Sequence, residues 1–235
     1  MFGAALMATE PKPKLVRQEL ACVDRKLEPD KNHPFFQVKG FVELEPVQPV
    51  RGGIFVIVEV VNEGSETLEL LRITHGGDVI VRSEDRVELN IPDPGRFSSA
   101  DPARLPGAAP RDPHRSPKDF GFMKPPNAWR DTKIKTIEDI KEDKIRLAPQ
   151  ERLQLGMLVT KVMCDPKAWE KEIERRKDPN CGLPAPEPPE ACPIEAGKYN
   201  IHAMITLGIP GSKIWTFDSE GLQVELVETP PGSGE

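Results

Sequence analysis

Proline punctuates this chain, at 26 of its 235 residues, about twice ordinary usage. A proline ring removes a backbone donor and blocks helix interiors and central strands, so it is confined to turns, edges and linkers. Long helices are therefore few, and whatever core exists must come from short extended segments joined by long loops. Nine prolines fall within residues 91–131, where apolar periodicity also disappears. That stretch is expected to be a long insertion. A second proline-rich insertion is expected over 164–196. Loops of such length are uncommon, and are usually functional or unstructured.

Between the prolines the pattern is that of strands. Leu15 to Val23 is rich in β-formers. Phe36, Val38, Val42 and Leu44 alternate with Gln37, Lys39, Glu43 and Glu45, the period-two signature of a half-buried strand. Gly40 interrupts the apolar set and is expected to mark a bulge. Ile54 to Val61 is apolar on both faces except at Glu59, which predicts the central strand of the core. Thr67 to Thr74 is expected to pair with it as a hairpin. His75-Gly76-Gly77-Asp78 reads as a second tight turn, followed by Val79 to Arg82 and Arg86 to Asn90. Strand signals return at Lys144 to Leu147 and at Arg152 to Thr160. The closing segment alternates Tyr199, Ile201, Ala203, Ile205 and Leu207 with polar residues, and Lys213 to Asp218 and Leu222 to Val227 complete the sheet. One helix is expected from Asp165-Pro166 to about Lys177, with Asp165 as N-cap and Trp169 and Ile173 docking it by a narrow stripe. The reading is all-β, with about ten strands in one domain over 14–228. Residues 1–13 form a disordered lead-in or the remnant of a signal peptide, and 229–235 a frayed tail.

Charge excludes one class of partner. The net charge is −6, and Lys and Arg are scattered among Asp and Glu. The clustered basic face that non-specific nucleic-acid binding needs is missing from the sequence. No stretch reaches the length of apolar sequence that a membrane-spanning helix requires. The four cysteines, Cys22, Cys164, Cys181 and Cys192, allow two disulfides with three connectivities. In an oxidising compartment Cys181 and Cys192 are expected to close a short loop. In a reducing one, all four serve as small apolar side chains. Their spacings do not fit a zinc site. An extracytoplasmic location, periplasmic or secreted, is slightly favoured.

Catalytic signatures are missing from the sequence. There is no GxSxG, HExxH, P-loop or GxGxxG. No catalytic residue, cofactor or metal ligand is assigned. Glu138, Asp139, Glu142 and Asp143 cluster after Thr136, which would cap a short helix, but interleaved lysines make that segment a solvated charged turn. His202 alternates with the apolar face of its strand and is expected at the surface. Phe120, Phe122 and Trp129 lie inside the first proline-rich insertion. Large apolar side chains there either anchor the loop or form a protein contact, since aromatics dominate interface hot spots.

The run Glu195-Ala196-Gly197-Lys198-Tyr199-Asn200-Ile201 resembles the start of strand F in immunoglobulin-like domains. Leu147-Ala148-Pro149-Gln150-Glu151 resembles the turn into strand E of bacterial members, and Val58 to Gly64 their strand B with its turn. The resemblance is to the broad immunoglobulin-like or fibronectin-III-like bacterial β-sandwich. It implies a tyrosine corner, with the Tyr199 hydroxyl on nearby backbone. The antibody cysteines and the strand-C tryptophan are lacking. The functional expectation is a non-catalytic protein-interaction or assembly module whose insertions form the contact surface. A carbohydrate- or calcium-binding module and an accessory subunit of an enzyme complex are the alternatives. Cys181, Cys192, Trp169 and Tyr199 are expected to be structural.

Overall fold

The computed structural model describes residues 14–22, 37–71, 77–90, 122–125, 134–139, 144–176, 187, 189–208 and 214–228. In chain order the strands are β1 (Val16–Glu19), β2 (Ala21–Cys22), β3 (Val38–Leu44), β4 (Val47–Pro49), β5 (Ile54–Asn62), β6 (Leu68–Leu71), β7 (Gly77–Ser83), β8 (Phe122–Met123), β9 (Lys135–Thr136), β10 (Lys144–Leu147), β11 (Arg152–Val159), β12 (Lys161–Met163), β13 (Ala191–Pro193), β14 (Gly197–Gly208), β15 (Ile214–Asp218) and β16 (Leu222–Val227). The single described helix is α1 (Pro166–Arg176), between β12 and β13. The chain is all-β, as its prolines and periodicity require.

One sheet runs β1-β3-β5-β11-β8, with β9 also beside β11. Its centre is β5, flanked by β3 and β11 along nearly its whole length. The second sheet is built on β14. On one side of β14, β7 covers Tyr199 to Ile205 and β6 reaches Gly208. On the other side, β16 covers Gly197 to Ile201 and β15 covers Met204 to Gly208. Thus β15 and β16 are two halves of one line. Between them Ser219, Glu220 and Gly221 face only His202 and Ala203, an excess of one residue that marks a bulge. Gly221 sits there at φ +111°, and a Cβ on it would lie 2.5 Å from Asn200 Oδ1. A third, two-stranded sheet pairs β12 with β13.

Two sequence expectations change. The hairpin expected from Ile54–Val61 and Thr67–Thr74 does not form, because β5 and β6 lie in different sheets and the turn between them crosses over. Gly40 is no bulge, since the β3–β5 register runs unbroken through Gly40↔Val60. Its role is packing: a Cβ there would lie 3.0 Å from Leu20 Cδ1. Thr136, fully buried at the end of β9, stands at the start of a short 3-10 helix, Ile137–Asp139, and its N–H donates to Asp139 Oδ2 as in a capping box.

The inner faces of the two large sheets supply one contiguous core. Val42, Leu44, Val56, Val58, Leu153 and Leu155 come from the first, and Leu70, Val81, Ile201, Ala203, Ile205 and Val224 from the second. Buried amides knit the sheets together by imitating backbone. Gln48 projects from β4, which pairs with β16 in the second sheet. Its side chain accepts from Phe55 N–H at 2.8 Å and donates to Phe55 O at 3.0 Å, on β5 of the first sheet. Asn62 ends β5 with no exposed surface and donates to both Glu66 O and Leu147 O at 2.8 Å, while Gly64 N–H donates to its Oδ1. It therefore fixes the crossover turn to the end of β10. Replacing Asn62 with Ala leaves those three groups without their partner. We expect a loss of about 2–4 kcal/mol, read by urea denaturation with an unchanged m-value.

Candidate functional site

Two places concentrate chemistry among the described residues. The first follows from Glu59, the one charged residue in β5. On a strand covered on both faces it has no exposed surface, and a buried carboxylate needs partners. Arg17, brought alongside by the β1–β3 pairing, donates Nη2 to Glu59 Oε1 at 2.8 Å and pairs through Nη1 with Glu43. The guanidinium also lies 3.9 Å from the Phe41 ring centroid, a cation–π placement. Gln154 Nε2 donates to Glu59 Oε2 at 2.9 Å, and Arg152 stands 4.0 Å from the same oxygen. Burial pushes the Glu43 carboxyl above its ordinary range, the neighbouring Glu59 charge pushes the same way, and Arg17 opposes them. Two carboxylates side by side suggest acid–base work, but one arginine clamps both and no substrate atom can reach Glu59. The cluster is an internal brace that holds β1 onto the sheet.

The second place is the insertion after β12. The register Val162↔Cys192 sets β12 against β13, and Cys164 N–H donates to Glu190 O at 3.0 Å. Cys164 and Cys192 are thereby brought to a Cα–Cα distance of 5.0 Å and are joined by a disulfide. This corrects the expected Cys181–Cys192 bridge: the strand register, not sequence proximity, decides which sulfur Cys192 meets. Cys181 lies outside the described residues. The bridge closes a lobe containing α1. Asp165 Oδ1 accepts from Ala168 N–H at 2.8 Å and caps the helix as expected. Between α1 and the Glu187–Glu190 segment runs a groove of about 430 Å³, lined by Cys164, Asp165, Ala168, Trp169, Glu172, Glu187, Pro189 and Glu190. Trp169, expected only to dock the helix, is half-buried and lines this groove.

Other residues singled out in the sequence are dispersed. The Tyr199 hydroxyl donates to Glu195 O at 2.8 Å, the backbone contact that a tyrosine corner implies. Burial and the nearby Glu195 carboxylate push its phenol pKa upward. Phe122 belongs to β8, whose backbone pairs with Gly156 and Met157 of β11. Phe120 and Trp129 fall outside the described residues, as do 1–13 and 229–235. His202 is half-buried, with Nδ1 facing Ser219 O at 3.2 Å and Nε2 facing Arg82 Nη1 at 3.3 Å. No group of three or more His, Cys, Asp or Glu among the described residues is placed to hold a metal, and no described helix is long and apolar enough to cross a membrane. The groove was not foreseen. Its signal in the sequence was the recurrence of acidic residues on both sides of a proline tract flanked by cysteines.

Comparison with protein-family models, with curated proteins and with solved structures gives no match.

Two outcomes follow from this geometry. A carboxyl raised in the fold keeps its proton there more tightly than in the unfolded chain. Glu43 therefore makes stability fall as pH rises from 4.5, the ordinary value for this side chain. Glu43→Gln removes that dependence, so the melting temperature of the variant relative to wild type is expected to increase from pH 4 to neutrality. For the lobe, the bridge spans 28 residues, so Cys192→Ser is expected to cost about 3–4 kcal/mol in the chain-entropy model. Dithiothreitol should bring the wild-type denaturation midpoint to that of the variant.

Proposed function

We propose that the chain is a non-catalytic interaction module, an immunoglobulin-like β-sandwich that presents the disulfide-closed lobe at 164–196 as its contact surface. The pairing scheme supports the sandwich reading. With β5 as strand B and β11 as strand E, B lies beside E. With β6 and β7 as strand C, β14 as F and β16 as G, F lies between C and G. Under that assignment the pairing agrees with the immunoglobulin order, and the Tyr199 hydroxyl bond agrees with a tyrosine corner on strand F.

Fold carries no function by itself. What supports the contact surface is the construction of the lobe. A loop serving only as a connection needs no covalent closure, capped helix and groove. Here the groove is fixed on one side by the helix cap and on the other by the Cys164–Glu190 bond and the disulfide. A surface held in shape before binding loses less entropy on association. The disulfide also favours an extracytoplasmic setting, where such bonds persist.

Replacing residues 166–190 by a short Gly-Ser linker keeps Cys164, Cys192 and the β12–β13 ladder. Crosslinking and mass spectrometry in the native cell should recover a reproducible partner with the wild-type chain and lose it with the linker variant. Recovery of the same partner by both proteins would overturn the proposal, provided that their melting curves agree.

A further inference from the structure

We infer that the Cys164–Cys192 bridge is a site of thiol–disulfide exchange in the folded protein: a dithiol attacks Cys164 Sγ, and reduction opens the lobe while both large sheets stay intact. The exchange chemistry is independent of what the lobe contacts. The two sulfurs differ in access. The β12–β13 register puts Cys192 opposite Val162, which is 8% exposed and belongs to the shared core. Cross-strand partners share a face, so Cys192 lies on the side of the ladder that packs against the sheets, and it is half-buried. Cys164 stands past the end of β12, where the chain leaves the core. It is exposed and lines the groove beside α1, whereas Cys192 does not line it. A thiolate arriving from solvent therefore meets Cys164 first. One effect opposes this order. Cys164 precedes Asp165, the N-cap of α1, and the partial positive charge of a helix N-terminus favours a thiolate there, which would make Cys164 the better leaving group. That preference is worth about two- to fivefold, and the Asp165 carboxylate already occupies the helix end. Shielding of Cys192 acts on the approach itself, so access decides.

The reaction runs in two displacements. One thiolate of the dithiol bonds to Cys164 Sγ, the Cys164–Cys192 bond breaks, and Cys192 leaves as a thiolate that takes up a proton. The second thiolate of the dithiol then attacks its own partner sulfur in the mixed disulfide. The dithiol departs oxidised to a disulfide, and Cys164 is released and protonated. Two electrons pass to the bridge, and the two protons come from the dithiol. Once the bridge is open, little holds the lobe. Its 28-residue span regains the chain freedom that the cross-link removed. What remains is a ladder of three residue pairs, in which Pro193 has no N–H to give, and two flanking backbone bonds. Cys164 N–H donates to Glu190 O at 3.0 Å beside the broken link, and Ile194 N–H donates to Thr160 O at 3.2 Å at the other end. Separation starts at Cys164 and stops at Ile194, which is buried in the core. Neither large sheet includes β12 or β13, so both keep their ladders.

The test uses the full oxidised chain. Dithiothreitol is added at neutral pH without denaturant, the reaction is quenched with iodoacetamide, and the Cys164 and Cys192 peptides are read by mass spectrometry. The rate of reduction is expected to rise in proportion to dithiothreitol without a plateau. A bridge that stays oxidised, or a rate that levels off at the rate of global unfolding, would overturn exchange in the folded state. Thioredoxin with its resolving cysteine replaced by serine then traps the first intermediate. The mixed disulfide is expected on Cys164, and its recovery on Cys192 would overturn the choice of sulfur. Hydrogen exchange of the reduced, alkylated chain reads the consequence. The amides of α1 and β13 are expected to lose protection while those of β5, β11 and β14 keep it. Protection retained in α1 and β13 would show that the bridge does not hold the lobe, and protection lost throughout the sheets would show that reduction unfolds the whole domain. Either result sinks the opening of the lobe.

Discussion

A strand that is apolar on both faces cannot lie at an edge or against water, and β5 imposes that condition on everything around it. Ile54, Val56, Val58 and Val60 turn inward to the shared core, while Ile57 on the opposite face also has no exposed surface. Strands β3 and β11 must therefore flank β5 on both sides, and both of its faces must be covered. The same condition strands the Glu59 carboxylate away from water. Arg17 has to reach it from β1, two strands away, and Gln154 from β11. The cost of a buried charge is thus met by a bracket of polar groups reaching across four strands.

Crossing between sheets raises a related difficulty, because each crossover leaves backbone groups without ladder partners. Side-chain amides resolve it. Gln48 bonds both polar groups of Phe55 from the opposite sheet, and Asn62 ties the crossover turn to the end of β10. Asn90 does the same beside β7, donating to Val79 O and accepting from Val81 N–H. An amide presents a donor and an acceptor in nearly the geometry of a peptide group, so these three residues extend the ladders where the backbone turns away.

Much of this architecture was legible in the sequence, for reasons of geometry. The pleat has a period of two, so alternation in β3, β14 and β16 marks strand and face together. The Ile54–Val61 run, apolar on both faces except at Glu59, declared its central position. The N-cap at Asp165 rests on local spacing and was equally readable, whereas the Tyr199 hydroxyl bond was implied by the resemblance of Glu195 to Ile201 to an immunoglobulin-like strand F. Sheet membership was not readable, because the turn from Asn62 to Thr67 has the same composition whether the chain folds back or crosses over. The bulge between β15 and β16, which makes them one long line, had no signal of its own in the sequence. The brace was half visible: Glu59 stood out in its strand, but Arg17 lies 42 residues away, and no local pattern connects them. Cysteine pairing depended on the register of two three-residue strands, and the groove on that pairing. The candidate site was therefore the part least accessible before the fold.

The bridge at the base of the lobe has a consequence for how such a protein can diverge. Cys164 and Cys192 hold the two points where the chain leaves and rejoins the sheets 5.0 Å apart. Whatever is spliced between them, longer or shorter, meets the same fixed gateway and transmits no displacement to the strands beneath. On the interaction reading, the contact surface can then drift quickly over a scaffold that scarcely changes, so that two descendants engage unrelated targets while their buried residues stay nearly the same.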